Sequence, residues 1–356
     1  MDDEKKIIEN SEVPHKRRVR YKGTHPRNFN EKYKELNPEK YTDTVEKLRQ
    51  KGKTPVGMHI PIMVNEILDF LDIKEGQIGL DATLGYGGHT TEMLKKLNHT
   101  GHIYGLDVDP VESEKTRKRL ESHGFNEEDV TVTLLNFANI DQMAEKYGPF
   151  DFVLADLGVS SMQIDNPDRG FTFKREGPLD LRLDQEHGIT AAERLRTVKF
   201  DELKQMLTEN SDEPYADQIA CEIFHRRKKR MPIETTKDLY DVIEKALEFL
   251  PKKDRAQVIK KSAQRTFQAL RIDVNQEFEV LEMFLEKLPT VLKSGGRAAI
   301  LTFHSGEDRR VKKAFKQGVQ NGDYSEVARY VIRPSEEECR RNTRATCTKF
   351  RWAIKE

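Results

Sequence analysis

Three aspartates, Asp81, Asp107 and Asp156, stand at or next to the ends of apolar runs, where a carboxylate meets whatever binds beyond a strand. Asp81 is followed by Ala82-Thr83-Leu84-Gly85-Tyr86-Gly87-Gly88-His89, three glycines in four positions, and a helical pattern opens at Thr90. In open α/β sheets this order puts a bare backbone loop at a strand's carboxyl end and a helix's amino end, where nucleotide-like ligands dock. Gly85, Gly87 and Gly88 let the backbone approach a ligand and leave amides to meet a carboxylate or phosphate. A dinucleotide fingerprint needs a third glycine three positions after the second; position 90 is Thr, so that pattern fails. Asp107 follows about twenty residues later, where an acid takes ribose hydroxyls in dinucleotide and S-adenosyl-L-methionine folds alike. Asp81 separates the two, because a carboxylate there suits the ammonium of a methionine tail and repels a pyrophosphate. Its plainer role is that of a turn or capping carboxylate.

The elements that must hold these groups follow from apolar periodicity. Helices are expected over 62–71, 90–97 and 110–122, the last with Pro110 in its first turn, where no N–H is needed. Strands are expected over 77–83, 102–108, 130–135 and 150–157. Strands alternating with helices imply a parallel, doubly wound sheet. That rhythm stops after the fourth strand. Residues 165–265 carry helical patterns at 191–195, 200–209, 215–227 and 236–249 and no convincing strand, which reads as a helical insertion. A helix over 263–292, broken near Val274 and at Pro289, returns to the sheet. A strand over 297–303 and two short strands over 326–332 and 349–354 would complete seven. The division is then a basic N-terminal extension at 1–57, a core at 58–164 and 266–356, and a substrate-recognising helical insertion at 165–265.

Composition bounds the partners. Among 356 residues, 34% are charged and no apolar run approaches the roughly 20 residues of a spanning helix. The start, MDDEKKIIENSE, has neither signal-peptide nor transit-peptide character. Cys221, Cys339 and Cys347 are widely spaced, which argues against a structural disulfide or zinc site and for a cytoplasmic chain without a metal. The net charge of zero hides an asymmetry: residues 1–57 hold 15 Lys/Arg against 10 Asp/Glu, and residues 304–356 hold 13 against 8. Nucleic acid would therefore meet local patches rather than a global field. The stretch 14–34, with Tyr21, Phe29 and Tyr33 among its basic residues, suits an RNA-contacting arm or, equally, a solvated tail.

DATLGYGGHT (81–90), LDVDP (106–110), DLGVSSMQID (156–165), RGFTFKREGPLDLRLD (169–184), RTFQALRIDVNQE (265–277) and GGRAAILTFHSGEDRRVK (295–312) together resemble one family. It is the bacterial small-subunit ribosomal RNA (cytosine-N4)-methyltransferases, known as RsmH or MraW, and the resemblance spans residues 58–356. It implies a class I, Rossmann-like methyltransferase with a helical insertion, using S-adenosyl-L-methionine on a cytidine of 16S ribosomal RNA near the P site of the small ribosomal subunit. It implies cofactor contacts at Gly87, Gly88, His89, Asp107, Phe137, Asp156 and Gln163, to which Asp81 and Gly85 are added from the local reading. The family also suggests a homodimer. Phe137 would stack on adenine or wall its pocket, and His89, at a helix start, reads as a neutral contact rather than a base.

The implied chemistry is an in-line displacement at a sulfonium methyl, in which positioning and charge placement do most of the work. The N4 amine of cytosine is a poor nucleophile, and acceptors for its N–H bonds favour attack. Asp156 leads as that acceptor, and His304, after the fifth strand, could orient the base or relay a proton; a structural histidine is as good a reading. Candidate RNA-gripping surfaces are 225–230, the loop 169–182, and 340–351. The family usually has Leu where this chain has Gly306, and the segment 316–335 is shorter than the family's. The competing readings are a nicotinamide-dependent oxidoreductase, a non-catalytic RNA-binding assembly protein, and the same chemistry on another RNA cytidine.

Overall fold

A computed structural model describes residues 61–356. The basic arm expected at 1–57 lies outside the described residues. Seven strands form one sheet in the order β3-β2-β1-β4-β5-β7-β6. They are β1 (Ile78–Asp81), β2 (His102–Asp107), β3 (Val130–Leu134), β4 (Phe150–Asp156), β5 (Leu292–Thr302), β6 (Tyr324–Val327) and β7 (Lys349–Lys355). The first five run parallel, while β7 is antiparallel to both β5 and β6. Strand order reverses between β1 and β4, so the crevice opens where the ends of those two strands diverge, at Asp81 and Asp156. This is the Rossmann-like class I methyltransferase architecture.

The central strands read as nearly continuous apolar runs because both faces are covered. Along β4, Val153 and Ala155 join a core with Met143, Phe284, Leu288 and Val311, while Phe152 and Leu154 join the opposite core with Ile67, Met93 and Leu94. Alternate side chains of a strand point to opposite faces, which is how one strand feeds two cores.

Helices Ala191–Thr197, Phe200–Ser211, Ala216–Lys228 and Thr236–Ala246 bury a separate core of Leu195, Leu203, Ile219 and Ile243. The long helix Lys252–Asn275 packs Ile259, Phe267 and Leu270 into that same core. The chain breaks at Gln276, which is left-handed with φ 51°, and helix Glu277–Val291 then covers the sheet. The break expected near Val274 therefore falls at Gln276. Pro289 stays inside its helix, and β5 begins at Leu292, earlier than the apolar pattern indicated. β6 is also displaced from 326–332: residues 324–327 pair with β7, and Ile332 rejoins it by a single bridge to Phe350. None of the described helices is long and apolar enough to cross a membrane.

Candidate active site

β1 ends at Asp81, which is 1% exposed. Thr90 Oγ1 donates to Asp81 Oδ2 at 2.6 Å, and the Thr83 amide donates to Oδ1 at 3.1 Å. Burial pushes this carboxyl up, against the opposing pull of the Thr90 bond. Each oxygen accepts one bond from the loop, so Asp81 braces the loop from beneath as a turn carboxylate, and its expected contact with a methionine ammonium would use the lone pairs that remain.

Gly85 (φ 46°) and Gly87 (φ 75°) are left-handed, a conformation that excludes most side chains. A Cβ at Gly87 would also lie 2.8 Å from Thr116 Cγ2. The Gly85 amide donates to Asp107 Oδ2 at 3.0 Å and the Gly87 amide to the Leu84 carbonyl at 2.7 Å. Two of the three glycine amides expected to meet a ligand therefore close the loop instead. Among the described residues, the amides without an acceptor here are those of Gly88, His89 and Thr90, the first turn of helix Gly88–Leu97.

Asp107 ends β2 with Oδ2 on Gly85 and Oδ1 accepting from the Asp109 amide at 2.9 Å. Burial raises its pKa to about 6, the amide bonds opposing and the neighbouring Asp109 adding to the rise. Asp109 caps helix Pro110–Ser122 by accepting from the Val111 and Glu112 amides. Beyond β3, Phe137 meets the buried Phe284 edge-on, with centroids 5.2 Å apart.

Asp156 ends β4, and its amide donates to Thr83 Oγ1 at 2.6 Å, tying the diverging strand ends together. Its Oδ2 lies 3.5 Å from His89 Nε2. Asp156 Oδ1 and His89 Nε2 are both buried without a hydrogen-bond partner. A buried carboxylate oxygen left unpaired costs free energy unless a donor arrives. The open helix amides fit the carboxylate on the methionine end of S-adenosyl-L-methionine, and the two unpaired atoms beside them leave polar positions for what binds in the crevice.

Gln163 is mostly committed. Its Oε1 accepts from the Ser160 amide at 2.9 Å in a capping box, and Nε2 reaches Asp109 Oδ2 at 3.4 Å. Asp109 also receives Arg169 Nη1 at 2.6 Å, and Arg169 Nη2 donates to the carbonyls of Arg182 and Leu183. Sequence reasoning did not find this pair. Arg169 looked like an RNA-facing cation but is 8% exposed. Arg182 is likewise clamped on Asp180.

His304 is the N-cap of helix Ser305–Asn321. Its Nδ1 accepts from the Glu307 amide at 3.4 Å, and its Nε2 sits 3.1 Å from Glu307 Oε1. Glu307 Oε2 accepts the Phe303 and His304 amides. Burial raises the Glu307 carboxyl, but His304, the Phe303 amide and Arg271 together hold it below its ordinary value. Both ring nitrogens face Glu307, the arrangement of a helix cap, while Nε2 is buried without a hydrogen-bond partner, as His89 Nε2 is. At Gly306 a Cβ would come 2.5 Å from Phe278 Cζ, so Phe278 fills the space a larger residue would take.

His304 and Glu307 also come together with Glu277, close enough to share a cation. Arg271 already holds Glu277 through two bonds of 2.7 and 2.8 Å and supplies the positive charge there. The other such group among the described residues, Asp184, Glu186 and His187, is largely exposed.

The basic segments differ in what they leave free. In 340–351, Arg340 and Arg341 pair with Glu336 and Glu337, Arg344 with Asp165, and Lys349 and Arg351 with Asp308. That segment is largely neutralised. In 225–230, Arg226 and Arg227 bond to the carbonyls of Asp238 and Val198, whereas Lys228, Lys229 and Arg230 are exposed.

A glycine loop between β1 and a helix, an acid closing β2 and an unpaired carboxylate oxygen at the end of β4 define a class I methyltransferase whose methyl donor is S-adenosyl-L-methionine. The chain belongs to the MraW methylase family, whose model matches residues 57–356. It is 65% identical over 347 residues to "Ribosomal RNA small subunit methyltransferase H 1" of Lachnoclostridium phytofermentans, covering 98% of this chain and 95% of that one. It is 62% identical over 344 residues to the protein of the same name from Agathobacter rectalis, covering 97% and 99%. Against "Ribosomal RNA small subunit methyltransferase H" of Clostridioides difficile the identity is 38% over 314 residues, covering 83% of this chain and 98% of that one.

Proposed function

We propose that this enzyme methylates the N4 amine of a cytidine in 16S ribosomal RNA, near the P site of the small ribosomal subunit. The observation that carries the reading is the unpaired, buried Oδ1 of Asp156 at the mouth of the crevice, an acceptor awaiting an N–H donor. When bound, S-adenosyl-L-methionine supplies an electrophilic methyl on a sulfonium. The first-turn amides of Gly88 and His89 hold its carboxylate, Asp107 its ribose, and Phe137 walls its adenine. Asp156 accepts from the cytidine amine, directs its lone pair to the methyl and takes up the proton released. His89 Nε2 faces the second oxygen of Asp156 at 3.5 Å, and Gln163 acts through Asp109 and the cap at Ser160.

The helical insertion with exposed Lys228, Lys229 and Arg230 and the arm at 1–57 are the RNA-facing parts. The enzyme works in the cytoplasm as a homodimer. Nucleoside mass spectrometry of 16S ribosomal RNA with and without the gene tests the substrate; N4-methylated cytidine unchanged by the deletion would refute it.

A second reading keeps the chemistry and moves the target to another cytidine. The relatives at 62–65% identity carry a numbered name and align with nearly the whole chain, arm included, whereas the relative at 38% leaves about the arm's length unmatched. Mapping the modified nucleotide in the same RNA decides between the two.

A further inference from the structure

Tyr330 is 79% exposed, the most exposed large hydrophobic side chain among the described residues. Solvation alone would disfavour holding an aromatic ring there, yet the backbone fixes it from both sides. The Ala328 amide donates to the Trp352 carbonyl at 2.8 Å. Ile332 and Phe350 exchange two bonds of 3.1 and 2.9 Å. Residues 329–331 therefore bulge opposite the single residue Arg351, a device that re-aims side chains at a sheet edge.

Arg329 precedes the ring, is exposed and makes no ion pair among the described residues. Arg333 follows it, also exposed, and donates to the backbone carbonyl of Thr348 at 3.3 Å, which leaves its charge uncompensated. Neighbouring cations differ, since Arg340, Arg341, Arg344, Lys349 and Arg351 all have acidic partners. In sequence the exposed ring thus lies between two arginines that have no acidic partner among the described residues.

Strand register places this bulge relative to the chemistry. Asp156 pairs with Leu301, Leu301 with Phe350, and Phe350 with Ile332. The anchor of the bulge is on the same row as the acceptor carboxylate, three strand spacings or ~14 Å away. An RNA strand that delivers an unstacked base to Asp156 and runs along this row crosses this edge of the sheet.

Resting on the proposed RNA substrate, we propose that the Arg329–Tyr330–Arg333 bulge is a stacking platform for single-stranded RNA flanking the target nucleotide. Tyr330 takes the face of one base, and the two arginines meet the adjoining phosphates. Sequence-tolerant stacking of this kind is how unpaired strands are held, whereas a duplex has no free base face to offer.

The test compares the full-length protein with Tyr330→Ala, Tyr330→Trp and Arg329→Ala. Each is assayed for affinity to a single-stranded RNA oligonucleotide and for methyl transfer to unmethylated small subunits. Tyr330→Ala should weaken oligonucleotide binding about tenfold and raise KM for subunits comparably, with S-adenosylhomocysteine affinity and kcat unchanged. Tyr330→Trp should restore binding, which a merely folding-related loss would not allow. Arg329→Ala should lower the slope of log affinity against log salt by about 0.7. Unchanged oligonucleotide affinity in Tyr330→Ala overturns the platform while leaving the methyl-transfer reading intact. A wild-type protein that binds the oligonucleotide through Tyr330 but never methylates subunits refutes that reading and supports the platform.

Discussion

Arg169 reaches from the loop after β4 to Asp109 at the head of helix Pro110–Ser122, closing a 2.6 Å ion pair that is buried at both ends. The pair ties the segment after β4 to the turn that follows Asp107 and β2. Its carboxylate also caps the helix and receives Gln163, so one aspartate organises three segments.

Removing Arg169 leaves Asp109 buried without its cation, a change that costs about 3–5 kcal/mol in comparable pairs. Arg169→Ala should lower the denaturant midpoint by a corresponding amount and weaken S-adenosylhomocysteine binding. Arg169→Lys should recover little, because an ammonium cannot reach Asp109 and the two carbonyls of Arg182 and Leu183 at once. Calorimetric titration and urea unfolding of the two variants check both effects, and a stable Arg169→Ala protein with wild-type affinity would refute the bracing role.

The ribose contact proposed for Asp107 would give cofactor binding a pH dependence. Burial raises its folded pKa to about 6, from an ordinary value of 3.8. Between those values the folded protein binds a proton that the unfolded chain has released, so this group's contribution to stability falls as pH rises through the window. In the proposed contact ribose hydroxyls donate to the ionised carboxylate, which gives binding the opposite sign. Affinity for S-adenosylhomocysteine should be flat above pH 7 and decline below about 6, approaching tenfold per unit. Asp107→Asn should bind more weakly at neutral pH and show no such decline when titrated across pH 5–8.

Asp156 is the acceptor proposed for the transfer step. Its Oδ1 has no partner to lose, so replacing it should leave the fold intact. Asp156→Ala should lower kcat by about 10²–10⁴, the usual worth of a positioned proton acceptor. Asp156→Asn keeps the shape but offers an amide, and should be nearly as impaired at saturating RNA. Single-turnover rates with preloaded cofactor read the chemical step directly; a rate within threefold of wild type in both variants would remove Asp156 from it.

Much of this site was legible because its carboxylates interrupt apolar runs. Asp107 and Asp156 close β2 and β4, and the glycine loop follows β1 as its composition indicated. What local sequence did not show was partnership at a distance. Arg169 and Asp109 are 60 residues apart, and no spacing rule links them. Asp81 looked free because its partner Thr90 lies nine residues on, across the loop. The break at Gln276 carries neither glycine nor proline, and its left-handed residue became visible only with the insertion core and the sheet packed on either side. The basic run 340–351 misled for a related reason: Glu336 and Glu337 precede Arg340 and Arg341 by one helical turn, so those charges are matched locally.

His304, after β5 at the same end of the sheet as Asp156, can be tested for a chemical or a structural role. Its ring accepts the Glu307 amide while Glu307 accepts the amides of Phe303 and His304, a reciprocal cap on helix Ser305–Asn321. Losing an N-cap costs about 1 kcal/mol. Asparagine caps as well as aspartate or serine but cannot relay a proton near neutral pH. His304→Ala should therefore lose about 1 kcal/mol of stability, while His304→Asn should regain most of it. Neither should reduce kcat by more than about tenfold, well short of the roughly 10²–10⁴ expected from loss of an acid or base. Urea unfolding and saturating-substrate rates on the two variants read these effects separately. A folded His304→Asn protein with kcat down a hundredfold or more would return His304 to the chemical step.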